Sequence, residues 1–207
     1  MLGLTGNIGS GKTSVGEILR EIGCPVIDAD REAHRTYKAG SDTWQEVVDA
    51  FGPGIVAPNG EIDRQILGSR VFEDPEALAR LNAIVHPATR ARVERRLTEF
   101  RQDGYEWATI EATLLIESGW RDMVAQLWVV AAPVELVVAR LEVSRKLSEA
   151  DIRSRIAAQM PAQEKMALAD EILYNMAISM TCVGESNNSG AIWRANHRPV
   201  RACRQRR

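Results

Sequence analysis

A glycine-rich segment near the N-terminus has the residue types and spacing of a phosphate-binding loop. Residues 6–13 read GNIGSGKT and match the pattern G-x-x-x-x-G-K-[ST] in full. Glycines at this spacing let successive backbone N–H groups turn toward phosphate oxygens, and a helix that begins here adds the positive end of its dipole. We therefore predict a nucleoside triphosphate site formed by Gly6, Asn7, Ile8, Gly9, Ser10, Gly11, Lys12, Thr13 and Ser14.

Two side chains of this segment have predicted roles in phosphoryl transfer. Lys12 should reach the β- and γ-phosphates of ATP, and the Thr13 hydroxyl should ligate Mg²⁺. A GTPase would also carry the N-K-x-D motif that reads guanine and a D-x-x-G segment directly after the second strand, and neither is present. The sequence therefore favours a small-molecule kinase that uses ATP and Mg²⁺.

Two aspartates follow the second predicted strand, Pro25-Val26-Ile27. The strand delivers Asp28 and Asp30 at its C-terminal end, the edge where open α/β sheets hold ligands. A kinase needs a carboxylate that positions the acceptor hydroxyl and takes its proton. Asp30 is our candidate, but strand periodicity points Asp28 the same way, and one of the two could serve the water shell of the metal. Either could instead be the N-cap of a helix that begins near Arg31.

A basic segment late in the chain could close over the transferring phosphate. Ser148 opens a predicted helix that runs to Gln159, before Pro161. The basic residues around it are Arg140, Arg145, Lys146, Arg153 and Arg155. Such a cluster is typical of a solvated helix face, but phosphoryl transfer needs arginines that close over the transferring group. We predict a lid at about 140–160, with Arg140 and Lys12 neutralising the charge that develops.

The elements that would position these groups alternate between strand and helix. Further core strands are predicted at 107–111 and 127–132, and this alternation indicates a parallel sheet. Residues 44–102 are predicted to be mostly helical, in pieces at 44–51, 63–72, 75–85 and 87–100. We therefore predict an α/β P-loop NTPase fold of three layers, with a central parallel sheet, a helical substrate-binding insertion and a short lid.

Length and composition limit the classes of protein. The chain has 207 residues, 45% hydrophobic and 26% charged, which fits one compact domain over residues 1–175. The net charge of −2 gives no pull toward nucleic acid or an anionic membrane, and three cysteines without a C-x-x-C pair favour neither disulfides nor zinc. Without a membrane-length apolar run or a leader, we predict a cytoplasmic monomer or weak homo-oligomer with no nucleic-acid or membrane partner.

Several further motifs agree in order and spacing with one known family. They are LTGNIGSGKTSV, VIDAD at 26–30, NGEIDRQILGSRVFEDPEAL, LNAIVHP at 81–87, LLIE at 114–117, RIAAQM and ADEIL. With these motifs the chain resembles the dephospho-coenzyme A kinase family over residues 2 to about 175. The resemblance implies ATP-dependent phosphorylation of the 3′-hydroxyl of dephospho-CoA to give coenzyme A.

The resemblance also implies roles for individual residues. Asp30 matches the expected catalytic carboxylate of the family, and Arg140 matches an arginine near the lid. Arg64, Asn82 and His86 fall in the insertion that the family uses to hold dephospho-CoA, although a His-Pro at a helix start can equally be a cap or a packed core group. Glu117 would face the active-site cleft or serve as a structural carboxylate.

The chain departs from the family at three places. Thr113 stands where the family usually has proline, and Ser144 stands where it usually has an arginine, with Arg145 next to it. After Asn175 the family expects Asp-Gly and a leucine-rich helix, which residues 176–207 lack. Reading the codons one base earlier permits a leucine-rich sequence of that kind, so we hypothesise a frameshift immediately after Asn175.

Two other functions stay open at this point. One is another P-loop kinase that acts on a nucleoside, a nucleotide or a small metabolite. The other is a non-catalytic nucleotide-binding protein, which the departures from the family at residues 176–207 and at Ser144 make plausible.

Overall fold

The computed structural model describes residues 1–72, 74–176 and 193–195. The strands are β1 (Leu2–Thr5), β2 (Val26–Asp28), β3 (Thr109–Glu111), β4 (Gln126–Ala131), β5 (Glu171–Asn175) and β6 (Trp193–Ala195). The helices are α1 (Lys12–Glu21), α2 (Ala29–Thr36), α3 (Asp42–Phe51), α4 (Arg64–Phe72), α5 (Pro75–Gln102), α6 (Val134–Arg145), α7 (Glu149–Ala157) and α8 (Ala162–Ala167). Short 3₁₀ helices lie at Pro53–Ile55 and Trp120–Met123.

The strands form one sheet in the order β2-β3-β1-β4-β5-β6. β1 is parallel to both β3 and β4, and β4 is parallel to β5, whereas β6 is antiparallel to β5. The predicted α/β class with a central parallel sheet is therefore confirmed. Neither β5 nor α8 is predicted from the sequence, because each is only five or six residues long and neither carries a sustained apolar period.

Helix α1 packs on the sheet through one apolar face. Val15 and Leu19 are buried against Leu4 and Val130, and each such side chain contributes about 1.5–3 kcal/mol of burial free energy. The helix ends at Glu21, and Gly23, whose φ is +84°, lets the chain turn while the last carbonyls of the helix accept hydrogen bonds from the residues that follow. The loop between β1 and α1 is thus held at both ends by core packing.

The chain divides into two compact units. The first comprises Met1–Val26 and the described residues from Gly104 on, and the second comprises Ile27–Asp103. The second unit has its own apolar core, which includes Val47, Ile55, Ile62, Leu67, Val71, Ala77 and Val85. Each unit therefore buries a separate set of side chains.

Helix α5 of the second unit continues through Pro87, so the predicted break between residues 85 and 87 is wrong. Proline removes one backbone hydrogen bond of the helix. However, the helix buries a continuous stripe on both sides of it, formed by Val85, Thr89, Val93 and Leu97. The Thr89 hydroxyl also donates to the carbonyl of Val85 at 2.7 Å. Burial along this stripe outweighs the local cost of the proline.

Two further sequence predictions bear on the whole chain. Among the helices of the described residues, none is both long and apolar enough to cross a membrane. The proposed frameshift concerns residues 176–207, which lie outside the described residues except for Met176 and residues 193–195.

Candidate active site

The loop between β1 and α1 has a backbone that only glycine can supply. The φ angles of Gly6, Gly9 and Gly11 are +148°, +72° and +102°. A Cβ at Gly6 would lie 2.3 Å from the carbonyl oxygen of Val130, and one at Gly11 would lie 2.1 Å from Nδ2 of Asn175. The glycines of the motif are therefore a steric requirement of the loop as well as a conformational one.

Lys12 lies along the loop that it would serve. Its Nζ donates to the carbonyl oxygens of Gly6, at 2.9 Å, and Asn7, at 3.3 Å, and the residue is 9% exposed. Oδ1 of Asn7 and Oγ of Ser10 are buried without a hydrogen-bond partner within the described residues. Buried polar atoms are usually satisfied, so the loop offers contacts that a bound ligand would complete.

A carboxylate that the sequence analysis did not assign faces the start of α1. Glu111 ends β3 and is 6% exposed, and its Oε1 accepts a hydrogen bond from the Thr13 hydroxyl at 3.1 Å. A Cβ at Gly16 would lie 2.7 Å from Oε2 of Glu111, and Arg20 Nη2 lies 4.0 Å from the same oxygen. The signal was available, because Glu111 is the last residue of a predicted parallel strand, and the C-terminal ends of such strands meet at one edge of the sheet.

Arg140 is placed beside the loop by helix α6. Its Nη1 donates to the carbonyl of Gly9 at 3.3 Å, and burial lowers the pKa of the guanidinium. The Ser144 hydroxyl donates to the carbonyl of Arg140 at 2.7 Å, so it is used within its own helix. Arg153 of the predicted lid is paired with Glu149 at 2.7 Å on the exposed face of α7. Of the basic cluster in the lid, the structure thus brings Arg140 to the loop.

The end of the predicted lid also contacts the loop. Oε1 of Gln159 accepts from the backbone N–H of Ile8 at 3.0 Å, and the carbonyl of Met160 accepts from Nδ2 of Asn7 at 3.2 Å. A cavity of about 640 Å³ adjoins these contacts, within the size range of small-molecule sites. Its apolar lining includes Val129, Pro133, Val137, Ile156 and Met166.

Glu117 has a structural partner. Its Oε1 lies 2.8 Å from Nζ of Lys165, whose side chain is fully buried, and it accepts from the backbone N–H of Met160 at 3.3 Å. Nζ of Lys165 also donates to the carbonyl of Thr113 at 2.8 Å. The contact that Thr113 makes with Lys165 uses its backbone carbonyl, a group that proline also has.

The two aspartates of the VIDAD segment have different environments. Asp28 is the N-cap of α2, and its Oδ1 accepts from the backbone N–H of Arg31 at 2.9 Å. The expectation that Asp28 and Asp30 point the same way along an extended segment is wrong, because β2 ends at Asp28 and Asp30 lies in the first turn of α2. Residues two apart on a helix do not share a face. Asp30 is exposed at the start of that helix.

The charges of three nearby predicted residues, Asp28, Asp30 and Arg64, act on the ring of His34. The pKa of His34 is lowered overall. Desolvation of the ring and the charge of Arg64 lower the pKa, and they outweigh Asp30 and Asp28, which raise it. Nδ1 of His34 is hydrogen-bonded to the hydroxyl of Tyr37, and burial raises the pKa of that hydroxyl. Asp30 and Arg64, two predicted site residues of the second unit, thus shift the pKa of His34 in opposite directions. His34 is not among the site residues predicted from the sequence, although it lies four residues after Asp30 on the same helix.

Asn82 and His86 are one turn apart on α5. Both are half-buried, and burial lowers the pKa of His86. The expectation of a helix start at His86 is wrong, since the residue lies in the middle of the 28-residue helix. Residues at this spacing share a face, so the two side chains can contact one ligand.

Known proteins share both the sequence and the fold of this chain. A sequence profile described as dephospho-CoA kinase matches residues 1–180. A dephospho-CoA kinase of Symbiobacterium thermophilum is 44% identical over 175 residues, which are 84% of this chain and 73% of that protein. The crystal structure of TT1252 from Thermus thermophilus is 37% identical, with a TM-score of 0.76 over 85% of this chain and 88% of that one. The dephospho-CoA kinase from Campylobacter jejuni is 28% identical, with a TM-score of 0.62 over the same shares.

Proposed function

Because the chain belongs to the dephospho-CoA kinase family, we propose that it transfers the γ-phosphoryl group of ATP to the 3′-hydroxyl of dephospho-CoA, giving coenzyme A and ADP. The observation that carries the proposal is the complete phosphate-binding loop of residues 6–13, whose glycines, lysine and threonine have the arrangement described above. The family supplies the identity of the acceptor, and the loop supplies the nucleotide site.

The loop would hold the phosphates of ATP. Its backbone N–H groups and the N-terminus of α1 favour negative charge, and Lys12 adds a cation that already lies along the loop. Arg140, held beside Gly9, adds a further cation near the site. We assign both to neutralising the charge that develops on the transferring phosphoryl group.

Mg²⁺ fits the residues at the start of α1. The Thr13 hydroxyl and the Glu111 carboxylate offer oxygen atoms 3.1 Å apart, and oxygen is the ligand that this cation prefers. Among the described residues, no three His, Cys, Asp or Glu side chains form a cluster that could hold a metal. The ion would therefore take some of its oxygen ligands from the phosphates of ATP, as Mg²⁺ usually does in kinases. When bound, it neutralises phosphate charge.

Residues of the second unit would bind and orient the acceptor. We assign Asp30 to orienting the 3′-hydroxyl and accepting its proton, because it is an exposed carboxylate that matches the catalytic position of the family. Arg64, Asn82 and His86 are assigned to holding dephospho-CoA. The positive charge of Arg64 suits the pyrophosphate of this acceptor.

A panel of acceptors tests the proposed function. Formation of ADP is measured with dephospho-CoA, with coenzyme A, whose 3′-hydroxyl is already phosphorylated, and with nucleosides and nucleotides. Among these acceptors, we expect only dephospho-CoA to support ADP formation. We expect Lys12→Met to abolish that activity. Turnover of a different acceptor would indicate another P-loop kinase. Binding of ATP without turnover of any acceptor would indicate a non-catalytic nucleotide-binding protein.

Some features of the sequence analysis stay predictions. They are the location in the cytoplasm, the monomeric or weakly associating state, and the lack of nucleic-acid and membrane partners. Measuring the molar mass in solution checks the second of these directly.

A further inference from the structure

Asn175, the last residue of β5, contacts both the phosphate-binding loop and Arg140. The residue is 8% exposed, and its Nδ2 donates to the carbonyl oxygen of Ser10 at 2.9 Å. Its Oδ1 accepts from Nη2 of Arg140 at 3.1 Å, and its backbone carbonyl accepts from the same nitrogen at 3.3 Å. The side-chain amide of Asn175 thus donates a hydrogen bond to the loop and accepts one from Arg140.

The contact with Ser10 fixes the orientation of one peptide group in the loop. The peptide unit is planar and trans, so its C=O and N–H bonds point in opposite directions. When the carbonyl of Ser10 points toward Asn175, the N–H of Gly11 must point away from it. Gly11 approaches the amide closely, since a Cβ there would lie 2.1 Å from Nδ2. The Gly11 N–H is one of those that the motif offers to phosphate.

Arg140 holds the preceding peptide group from the same side. Its Nη1 donates to the carbonyl of Gly9 at 3.3 Å, while its Nη2 is held by Asn175. Two consecutive carbonyls of the loop therefore accept hydrogen bonds from one linked pair of side chains. Asn175 accepts two hydrogen bonds from Arg140 and so holds the guanidinium in place beside the loop.

We propose that Asn175 is a positioning residue for ATP: it aims the Gly11 N–H into the phosphate site and holds Arg140 beside the loop. The inference rests on the proposed function, which assigns this loop to the phosphates. Asn175 itself does not need to touch the nucleotide. Its effect should appear in phosphate affinity before it appears in the rate of the chemical step.

The test is Asn175→Asp in the full chain. The carboxylate keeps the size of the side chain and can still accept from Arg140, but it has no donor for the carbonyl of Ser10 and repels that oxygen. We measure kcat and KM for ATP, and the dissociation constant of inorganic tripolyphosphate by calorimetry. We expect the KM for ATP and the tripolyphosphate dissociation constant to rise about tenfold or more, with a smaller change in kcat.

A matched change elsewhere controls for the change in net charge, and Asn175→Ser, which adds no charge beside the loop, controls for local repulsion of the phosphates. Oδ1 of Asn59 accepts from the backbone N–H of Glu61 in an exposed turn, and an aspartate can make the same contact. We expect Asn59→Asp to leave the KM for ATP and the dissociation constant of tripolyphosphate unchanged. If Asn175→Asp does not fold, as judged by circular dichroism, Asn175→Ser gives the same readouts with a shorter donor.

The outcomes separate this inference from the proposed function. A lower melting temperature with unchanged tripolyphosphate affinity and unchanged KM would show that Asn175 only supports the fold, and would overturn the inference. A fall in kcat alone would overturn it as well. If the unmodified chain fails to phosphorylate dephospho-CoA but Asn175→Asp still weakens tripolyphosphate binding, the proposed function fails and the positioning role stands.

Discussion

The hydroxyl of Thr13 donates a hydrogen bond to Oε1 of Glu111 across 3.1 Å, which joins the first turn of α1 to the end of β3. Thr13 completes the phosphate-binding motif, whereas Glu111 belongs to no motif that the sequence analysis used. The pair places a buried carboxylate beside the hydroxyl that we assign to Mg²⁺. Several consequences of this contact can be measured.

Glu111→Gln should raise the Mg²⁺ concentration that the reaction requires, with little change in the fold. Glutamine can still accept the hydrogen bond from Thr13, but it carries no charge to attract the cation. We expect a higher Mg²⁺ concentration at half-maximal rate, and a value of kcat/KM about 10–100-fold lower. Initial rates over a Mg²⁺ titration measure both quantities.

Arg20→Gln is the control for that experiment. Nη2 of Arg20 lies 4.0 Å from Oε2 of Glu111, and about two-fifths of its side chain is exposed, so the pair is screened by solvent. Its loss should leave the Mg²⁺ dependence unchanged. Equal effects of the two substitutions would show that Glu111 acts through the ion pair and not through the metal.

Gly16→Ala should separate stability from activity. Alanine favours a helix over glycine by about 1 kcal/mol, but its Cβ would lie 2.7 Å from Oε2 of Glu111, so the carboxylate must move. We expect unchanged or higher stability in urea and a higher Mg²⁺ requirement. Gly68→Ala in α4 is the matched control, because a Cβ there meets nothing within 4 Å and should only stabilise. A fully active Gly16→Ala would contradict the proposed place of Glu111.

The sequence predicted the parts of the site that depend on local patterns. The loop between β1 and α1, the strands β1 to β4 and the Ser148 N-cap follow from glycine spacing, apolar runs and capping chemistry, and all appear in the structure. The contacts of Glu111 and Asn175 did not follow. Each joins residues about 100 or more positions apart, and no local pattern encodes which side chains meet across a sheet.

The segment from Asp28 to Asp30 shows the same limit within three residues. Strand periodicity assumed an extended chain, but the Asp28 side chain caps the backbone N–H of Arg31, and the helix begins at once. An N-cap aspartate satisfies one of the unpaired N–H groups at the start of a helix, which makes helix entry favourable there. Capping therefore overrode the strand pattern.

That difference predicts unequal roles for the two aspartates. Asp30→Asn should lower kcat by about 10²–10⁴-fold, because the amide cannot accept the proton of the acceptor hydroxyl, while ATP affinity stays nearly unchanged. Asp28→Asn keeps a capping oxygen and should change activity and stability little. Single-turnover rates and ATP binding by calorimetry compare the two. A fully active Asp30→Asn would refute the assigned role.

The pair of Glu117 and Lys165 should be a determinant of stability. Glu117→Gln leaves the ammonium of Lys165, which is fully buried, without its counter-charge, and we expect a loss of about 3–5 kcal/mol. Lys165→Met removes the buried charge itself and leaves Glu117, which is 23% exposed, in contact with water, so the loss should be smaller. Urea unfolding gives both values. Equal losses would mean that an unpaired buried ammonium is not what destabilises Glu117→Gln.

Glu32 should make the stability of the chain depend on pH in the acid range. The carboxylate is 6% exposed and forms ion pairs with Arg35 and Arg92. Burial alone raises the pKa of Glu32, but the hydrogen bonds and charges of Arg92 and Arg35 outweigh it, so the pKa lies below 4.5. The folded state therefore binds this proton less readily than the unfolded state does. The stabilisation is fully present above pH 4.5 and is lost as the pH falls through the lowered pKa.

Glu32→Gln tests this linkage, because glutamine does not titrate. At neutral pH the variant should be less stable by about 1–3 kcal/mol, since hydrogen bonds to a charged acceptor are replaced by weaker ones. As the pH falls from about 5 to about 3, the unmodified chain should lose stability faster than the variant, so the two unfolding free energies converge. Glu94→Gln, which removes an exposed pair with Arg90, should run parallel to the unmodified chain. Two curves that stay parallel for Glu32→Gln would show that the Glu32 carboxylate has the same proton affinity in the folded and unfolded states.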